Sequence, residues 1–165
     1  MATNVILAKD VMRKTITAAK KETLGRSLAE KLLTGNYSGM PVVNNNNEVI
    51  GIITEFYLIK AMDAGKSLEQ VTAEDIMTKK PICVEEDTTI EKVIHIMTKE
   101  AIIRIPVVRD MVPVGIISRS DVLRCVYGVL RPEFVRISTE HGEMEVFTEF
   151  KQTQYKSEDI IHSES

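Results

Sequence analysis

Met40-Pro41-Val42-Val43, followed by Gly51-Ile52-Ile53-Thr54, returns downstream as Ile105-Pro106-Val107-Val108 and Gly115-Ile116-Ile117-Ser118. The first block recurs at an offset of 65 and the second at 64, while Asp10-Val11-Met12 recurs as Asp75-Ile76-Met77, again at 65. Three landmarks in one order, with a single one-residue gap, mark an internal duplication, and a duplication fixes the architecture before any finer reading. The gap falls at the turn-prone run Asn44 to Asn47, where a change of loop length is tolerated.

Both copies carry the same pattern outward from these blocks. An Asp-hydrophobic-Met element is followed by a short extended piece, Thr15 to Ala18 or Pro81 to Val84, and then by a helix. In the second copy Thr88-Thr89-Ile90-Glu91 has capping-box spacing, and Ile90, Val93, Ile94 and Met97 mark one helical face. Leu24, Leu28 and Leu32 do the same in the first. Two apolar strands come next, Met40 to Val43 with Val49 to Ile53, and Arg104 to Val108 with Val112 to Ile117, whose Val/Ile runs predict burial on both faces. A second helix begins at Thr54 or Ser118 and carries Phe56, Leu58, Ile59 and Met62, or Val122, Leu123 and Val126. The order is β-α-β-β-α, twice.

Composition agrees with a small α/β protein. The chain has 165 residues, 44% of them hydrophobic and 27% charged, so it can bury a core and is neither disordered nor fibrous. Aromatics are 5% and Trp is absent, which leaves Ile, Val, Leu and 8 Met to fill that core. A net charge of −3 is too balanced to draw the molecule onto nucleic acid or an anionic membrane. From Arg131 onward four basic and eight acidic residues put −4 on the tail and leave +1 on residues 1–130. Cys83 and Cys125 form no CxxC pair, so the expected setting is a reducing cytoplasm, without disulfide framework or zinc site. No apolar run approaches the ~20 residues of a membrane span.

The doubled motifs resemble paired cystathionine β-synthase (CBS) domains, the Bateman module. The resemblance covers about residues 9 to 128, and divides the chain into a first CBS unit at 9–63, a linker at 64–74, a second unit at 75–128 and a C-terminal extension at 129–165. It implies an α/β fold in which two β-α-β-β-α units pack through their sheets about a pseudo-twofold axis. It also implies a homodimer, and adenine nucleotides or related adenosyl compounds (AMP, ADP or ATP) as regulatory ligands, with no obligatory cofactor. Such modules sense rather than catalyse.

A nucleotide site is expected in the second unit, where the strand Gly115 to Ser118 runs into a helix whose N-terminus suits phosphate. Ser118 stands at the expected N-cap, and the family's ribose-binding carboxylate corresponds to Asp121. Arg104, two residues before Pro106, matches a position where the family carries a phosphate-reaching base, and a guanidinium forks well onto phosphate oxygens. Thr78 to Ile82, including Pro81, are expected to supply the adenine pocket with Ile82 and Ile103 on the ring, and Ile117 and Arg119 complete the set. The plainer reading is that Ser118 and Asp121 form a capping box with Asp in place of Glu or Gln; Asp121 can serve both ends.

The first unit departs from the pattern. Tyr57 stands where the ribose-binding Asp belongs and Gly39 where Arg104 stands, and a phenol cannot grip a diol as a carboxylate does. One competent site per chain is expected, with a degenerate or differently used first cleft and Tyr57 packing. His95 has no second ligand at metal spacing and reads as a core-edge or surface histidine, and Cys83 as a small buried hydrophobe. Lys79-Lys80 screen phosphates at a cleft mouth or are simply solvated. In the tail, Phe134 to Ile137 and Met144 to Phe150 flank Glu140 to Glu143; a hairpin is the favoured reading, a helical face the other, with Ser157 to Ser165 frayed. The leading functional expectation is a stand-alone regulatory module acting on an effector protein. The alternative is a non-catalytic scaffold or interaction subunit with vestigial clefts. Catalysis finds no nucleophile–base pair, metal cluster or Walker loop, and nucleic-acid binding no basic, aromatic-rich stripe.

Overall fold

The computed structural model describes residues 5–127, 130–140 and 142–152. They fall into two compact units, residues 1–119 and 120–165. The first holds two three-stranded sheets of the same design. One runs β1 (Ala19–Lys20), β2 (Gly39–Val43), β3 (Val49–Thr54), with helices α2 (Gly25–Gly35) and α3 (Glu55–Asp63); the short helix α1 (Ala8–Val11) precedes them. After α4 (Ala73–Ile76) the other runs β4 (Val84–Glu85), β5 (Arg104–Arg109), β6 (Val112–Ser118), with α5 (Ile90–Lys99) between β4 and β5 and α6 (Arg119–Tyr127) after β6. In each sheet the first strand is parallel and the third antiparallel to the middle one.

The expected strands form where the Val/Ile runs stand. β3 alternates buried and half-buried residues and β6 is buried only from Gly115 onward, whereas all five residues of β2 are buried, as are Ile105 to Val108 in β5. Such strands cannot face water on either side. Ile53, Ile105, Ile117 and Val107 are fully buried, and Leu28 and Leu32 of α2 and Val93 and Met97 of α5 close the sheets. Some expected core positions lie outside. Leu24 is the N-cap of α2 and 43% exposed, and Ile94 is 38% exposed because α5 buries only the narrower stripe Ile90, Val93, Met97. Thr89, one residue later than the capping-box spacing implied, caps α5 by accepting from the Lys92 N–H at 3.4 Å. On α3 Leu58 is buried, whereas Phe56, Ile59 and Met62 face outward.

The openings of the two repeats are exchanged. α1 precedes the first repeat, yet Ala8 N–H donates to the Thr88 carbonyl (2.7 Å), Ile90 N–H to Ile6 (2.9 Å) and Arg13 N–H to Ile116 (2.9 Å), all in the second. α4 precedes the second repeat, yet Ala73 N–H donates to Thr23 (2.8 Å), Glu74 N–H to Lys21 (3.0 Å) and Thr78 N–H to Ile52 (3.1 Å), all in the first. Thr72 and Asp75 start α4 with a reciprocal capping box, the two hydrogen bonds from Thr72 holding the Asp75 carboxyl below its usual range. The repeats also meet through Val43, Val49 and Val108, with Cys83 against them.

The exchange explains two glycines. A Cβ on Gly51 would overlap the Met77 side chain and come within 2.7 Å of the Thr78 carbonyl oxygen, and a Cβ on Gly115 would overlap Met12, within 2.9 Å of its Cβ. Each Asp-hydrophobic-Met element therefore lays its methionine over the glycine of the other repeat.

The second unit contains most of α6 and the hairpin β7 (Leu130–Thr139) with β8 (Gly142–Gln152), paired antiparallel from Leu130↔Gln152 to Thr139↔Gly142. The tail is thus a hairpin, longer than the alternation suggested, with Arg136 donating to Glu145 across it at 2.9 Å. Ser157 to Ser165 lie outside the described residues.

Gly51→Ala is expected to destabilise the chain by about 1–3 kcal/mol, the usual cost of overfilling a packed site. A urea midpoint shift measures it, and Met77→Ala in the same chain should recover part of the loss through a non-additive coupling.

Candidate functional site

The strand ends of β5 and β6 gather five of the expected site residues. Arg104 pairs across the ladder with Ser118, as Ile105 does with Ile117. Arg119 N–H donates to the Ile103 carbonyl at 3.1 Å and its Nε to the Ile102 carbonyl at 3.0 Å. The equivalent register in the first sheet sets Gly39 opposite Thr54. Gly39 and Arg104 therefore hold matching places in the two ladders, and the first sheet lacks the guanidinium there.

Arg104 does not stay over its own sheet. Its Nε donates to the Ser38 hydroxyl at 2.5 Å, just ahead of β2 in the other repeat. Between these residues lies a cleft of about 270 Å³ lined by Leu32, Leu33, Asn36, Tyr37, Ser38, Glu55 and Arg104. Asn36 ends α2 in the left-handed conformation, with φ of 55°, which turns the chain so that Tyr37 and Ser38 enter the cleft before β2 begins. Tyr37 is half-buried and its phenol accepts from the Thr17 hydroxyl at 3.3 Å. A guanidinium, two hydroxyls and a primary amide beside the leucines can bind an anionic or polar group while packing an apolar one.

Thr78 behaves differently. Thr78 is bonded to Ile52, in the first repeat's sheet, and Pro81 and Ile82 are half-buried. The segment beside β6 is instead the chain after α1, through the double bridge between Arg13 and Ile116. Sequence reading also passed over Tyr37 and Ser38. Their position directly before the Met-Pro-Val-Val strand, the counterpart of Ile102 and Ile103, was the available signal.

Asp121, third residue of α6, is 7% exposed and accepts from Arg124 Nη1 at 3.2 Å, one turn along the same helix. Ser118 is 6% exposed at the end of β6. Tyr57, in the place corresponding to Asp121, is half-buried and meets Phe56 edge-on with ring centroids 5.6 Å apart. His95 is exposed on α5, and among the described residues no three His, Cys, Asp or Glu side chains gather as metal ligands would. Lys79 and Lys80 are exposed, and no described helix is long and apolar enough to cross a membrane.

The model of the CBS domain matches residues 8–64 and 73–128. The chain belongs to the CBS-domain family, as a tandem pair. It is 32% identical over 148 residues to an uncharacterized protein of Methanopyrus kandleri, covering 88% of this chain and 71% of that one. It is 31% identical over 115 residues to the inosine-5′-monophosphate dehydrogenase of Methanocaldococcus jannaschii, spanning 69% of this chain but only 22% of the enzyme. The CBS domain pair of protein MJ0100, solved in complex with 5′-methylthioadenosine and S-adenosyl-L-methionine, superposes with a TM-score of 0.70 at 31% identity, over 75% of this chain and 98% of that one. CBSX2, solved in complex with AMP, shares the fold at 23% identity, with a TM-score of 0.64 over 73% of this chain and 96% of that one.

Burial, and secondarily Glu85, pushes the Cys83 thiol from its usual 9.0 up to about 11. A raised folded value means the neutral thiol's contribution is intact below pH 9 and is lost as pH rises through about 11. At pH 8, iodoacetamide should modify Cys83 far more slowly in the folded chain than in urea, as peptide mass spectrometry of the alkylated protein reads directly.

Proposed function

We propose that this tandem CBS pair is a regulatory module that binds an adenosyl ligand and passes its occupancy to a partner protein, without catalysing a reaction itself. The observation that carries the reading is the Arg104–Ser38 cleft, in which a basic residue whose counterpart in the first repeat is Gly39 reaches across to the other repeat. The MJ0100 pair, at 31% identity, supports the adenosyl class through the two ligands it holds. In this reading Asp121 takes the ribose hydroxyls, Arg104, Ser38 and Ser118 the 5′ substituent, and Ile103 and Ile117 belong to the apolar wall. The adenine falls to the segment that follows α1, Arg13 to Thr17, since that is the stretch bridged to β6. Thr78 goes with the first repeat, where Gly39 and Tyr57 leave a cleft without its two polar anchors. Two cysteines far apart in sequence, with no CxxC pair, suit a reducing compartment, and the cytoplasm is our placement.

Calorimetry with AMP, ADP, ATP, 5′-methylthioadenosine and S-adenosyl-L-methionine tests this. Binding of at least one is expected, weakened roughly 10- to 100-fold by Asp121→Ala, which corresponds to about 1.5–3 kcal/mol for hydrogen bonds to a charged group. Asp121→Asn keeps the shape and separates lost recognition from lost folding. Undiminished binding by both variants would remove Asp121 from the site.

We further propose that the chain works as a homodimer. Phe56, Ile59 and Met62 line one face of α3 at 66%, 62% and 54% exposure, a concentration of apolar surface that marks interaction sites. Sedimentation velocity should give a dimer, and Phe56→Asp with Ile59→Asp a monomer of unchanged circular dichroism.

A further inference from the structure

The cleft between Ser38 and Arg104 carries a second charge. Among its described lining residues Arg104 is the only cation and Glu55 the only anion, the rest being leucine, asparagine, tyrosine and serine. Glu55 is the first residue of α3, directly after the Thr54 that pairs with Gly39. Its carboxylate is therefore carried on the strand–helix junction of the first repeat, as Arg119 is carried on that of the second. Glu55 is exposed and Arg104 half-buried. The guanidinium is held by Ser38, and Glu55 lines the same cleft with its side chain exposed to solvent.

We propose that this pairing sets the charge class of the ligand. The cleft admits adenosyl compounds whose 5′ substituent is uncharged, zwitterionic or a single phosphate, and Glu55 discriminates against polyphosphates. This rests on the reading that the cleft receives the 5′ end of an adenosyl ligand. One guanidinium can neutralise about one phosphate charge, and it does so well because its planar fork matches two oxygens. The further charges of a triphosphate would share with a carboxylate a cleft that has no second cation among its described lining residues. Like charges that share one cleft repel even under partial solvent screening. A zwitterionic aminoacyl tail meets the opposite situation, since its ammonium has Glu55 and its carboxylate Arg104. The cavity's volume of about 270 Å³ also suits a short substituent, lying below the usual ~300–1,000 Å³ of sites that enclose a whole drug-sized molecule.

The test is calorimetry on the full chain at about 0.1 M ionic strength, without divalent cations, using 5′-methylthioadenosine, AMP and ATP with wild type and Glu55→Gln. The wild type should bind 5′-methylthioadenosine and AMP at least tenfold more tightly than ATP. In Glu55→Gln the ratio of ATP affinity to 5′-methylthioadenosine affinity should rise roughly three- to tenfold, and raising the salt should shrink that rise. Wild type binding ATP as tightly as AMP, or an unchanged ratio in Glu55→Gln, overturns the selectivity proposal while leaving the adenosyl reading intact. Binding of none of the three compounds overturns both.

Discussion

The fold rests on two methionine–glycine contacts that cross between its halves. Met77 lies over Gly51 and Met12 over Gly115, with no room for a Cβ at either glycine. Each contact fixes an opening segment against the sheet of the other repeat, where backbone hydrogen bonds to Ile52 and Ile116 then continue the strand edge. Gly is required here for close approach rather than for an unusual dihedral, and the flexible thioether fills the space that the missing side chain leaves. The two sheets also meet through the small Val43, Val49, Val108 cluster, the Val49 N–H bond to the Met111 carbonyl and the Arg104–Ser38 hydrogen bond.

The duplication made most of the architecture legible. Offsets of 65 and 64 fix two equivalent units, and Val/Ile density fixes the buried strands, because burial on both faces demands apolar residues at every position. What linear order does not carry is which sheet a short segment will join. Asp10-Val11-Met12 and Asp75-Ile76-Met77 were readable as openings, but both crossed over, and Thr78 went with β3 rather than β6. Helix faces were read too widely for a related reason. Ile94 and Leu24 satisfy helical spacing, yet a helix lying on a three-stranded sheet buries only a narrow stripe.

The candidate site divides in the same way. Arg104 and Ser118 were marked by residue type and position, and the ladder pairs them. Tyr37 and Ser38 carried no chemical flag in the sequence, because a Tyr-Ser pair before a strand is ordinary until the fold brings a guanidinium to it. Glu55 likewise became meaningful only as a cleft-lining charge. Positions that match the repeat were visible, whereas positions that make the repeats unequal needed the three-dimensional arrangement.

The exchanged openings also give the chain an order of assembly. Arg13 and Ile116 are bridged partners about a hundred residues apart in sequence, so the segment that carries Arg13 finds its partner only once the last strand of the pair exists. Long-range closures of this kind slow folding, because the loop entropy is lost before the contact is gained. The early sheet must meanwhile wait for α4 to complete its own edge. Neither half thus completes its own sheet edge alone, and the closing of the segment after α1 onto β6 is the contact that spans almost the whole pair.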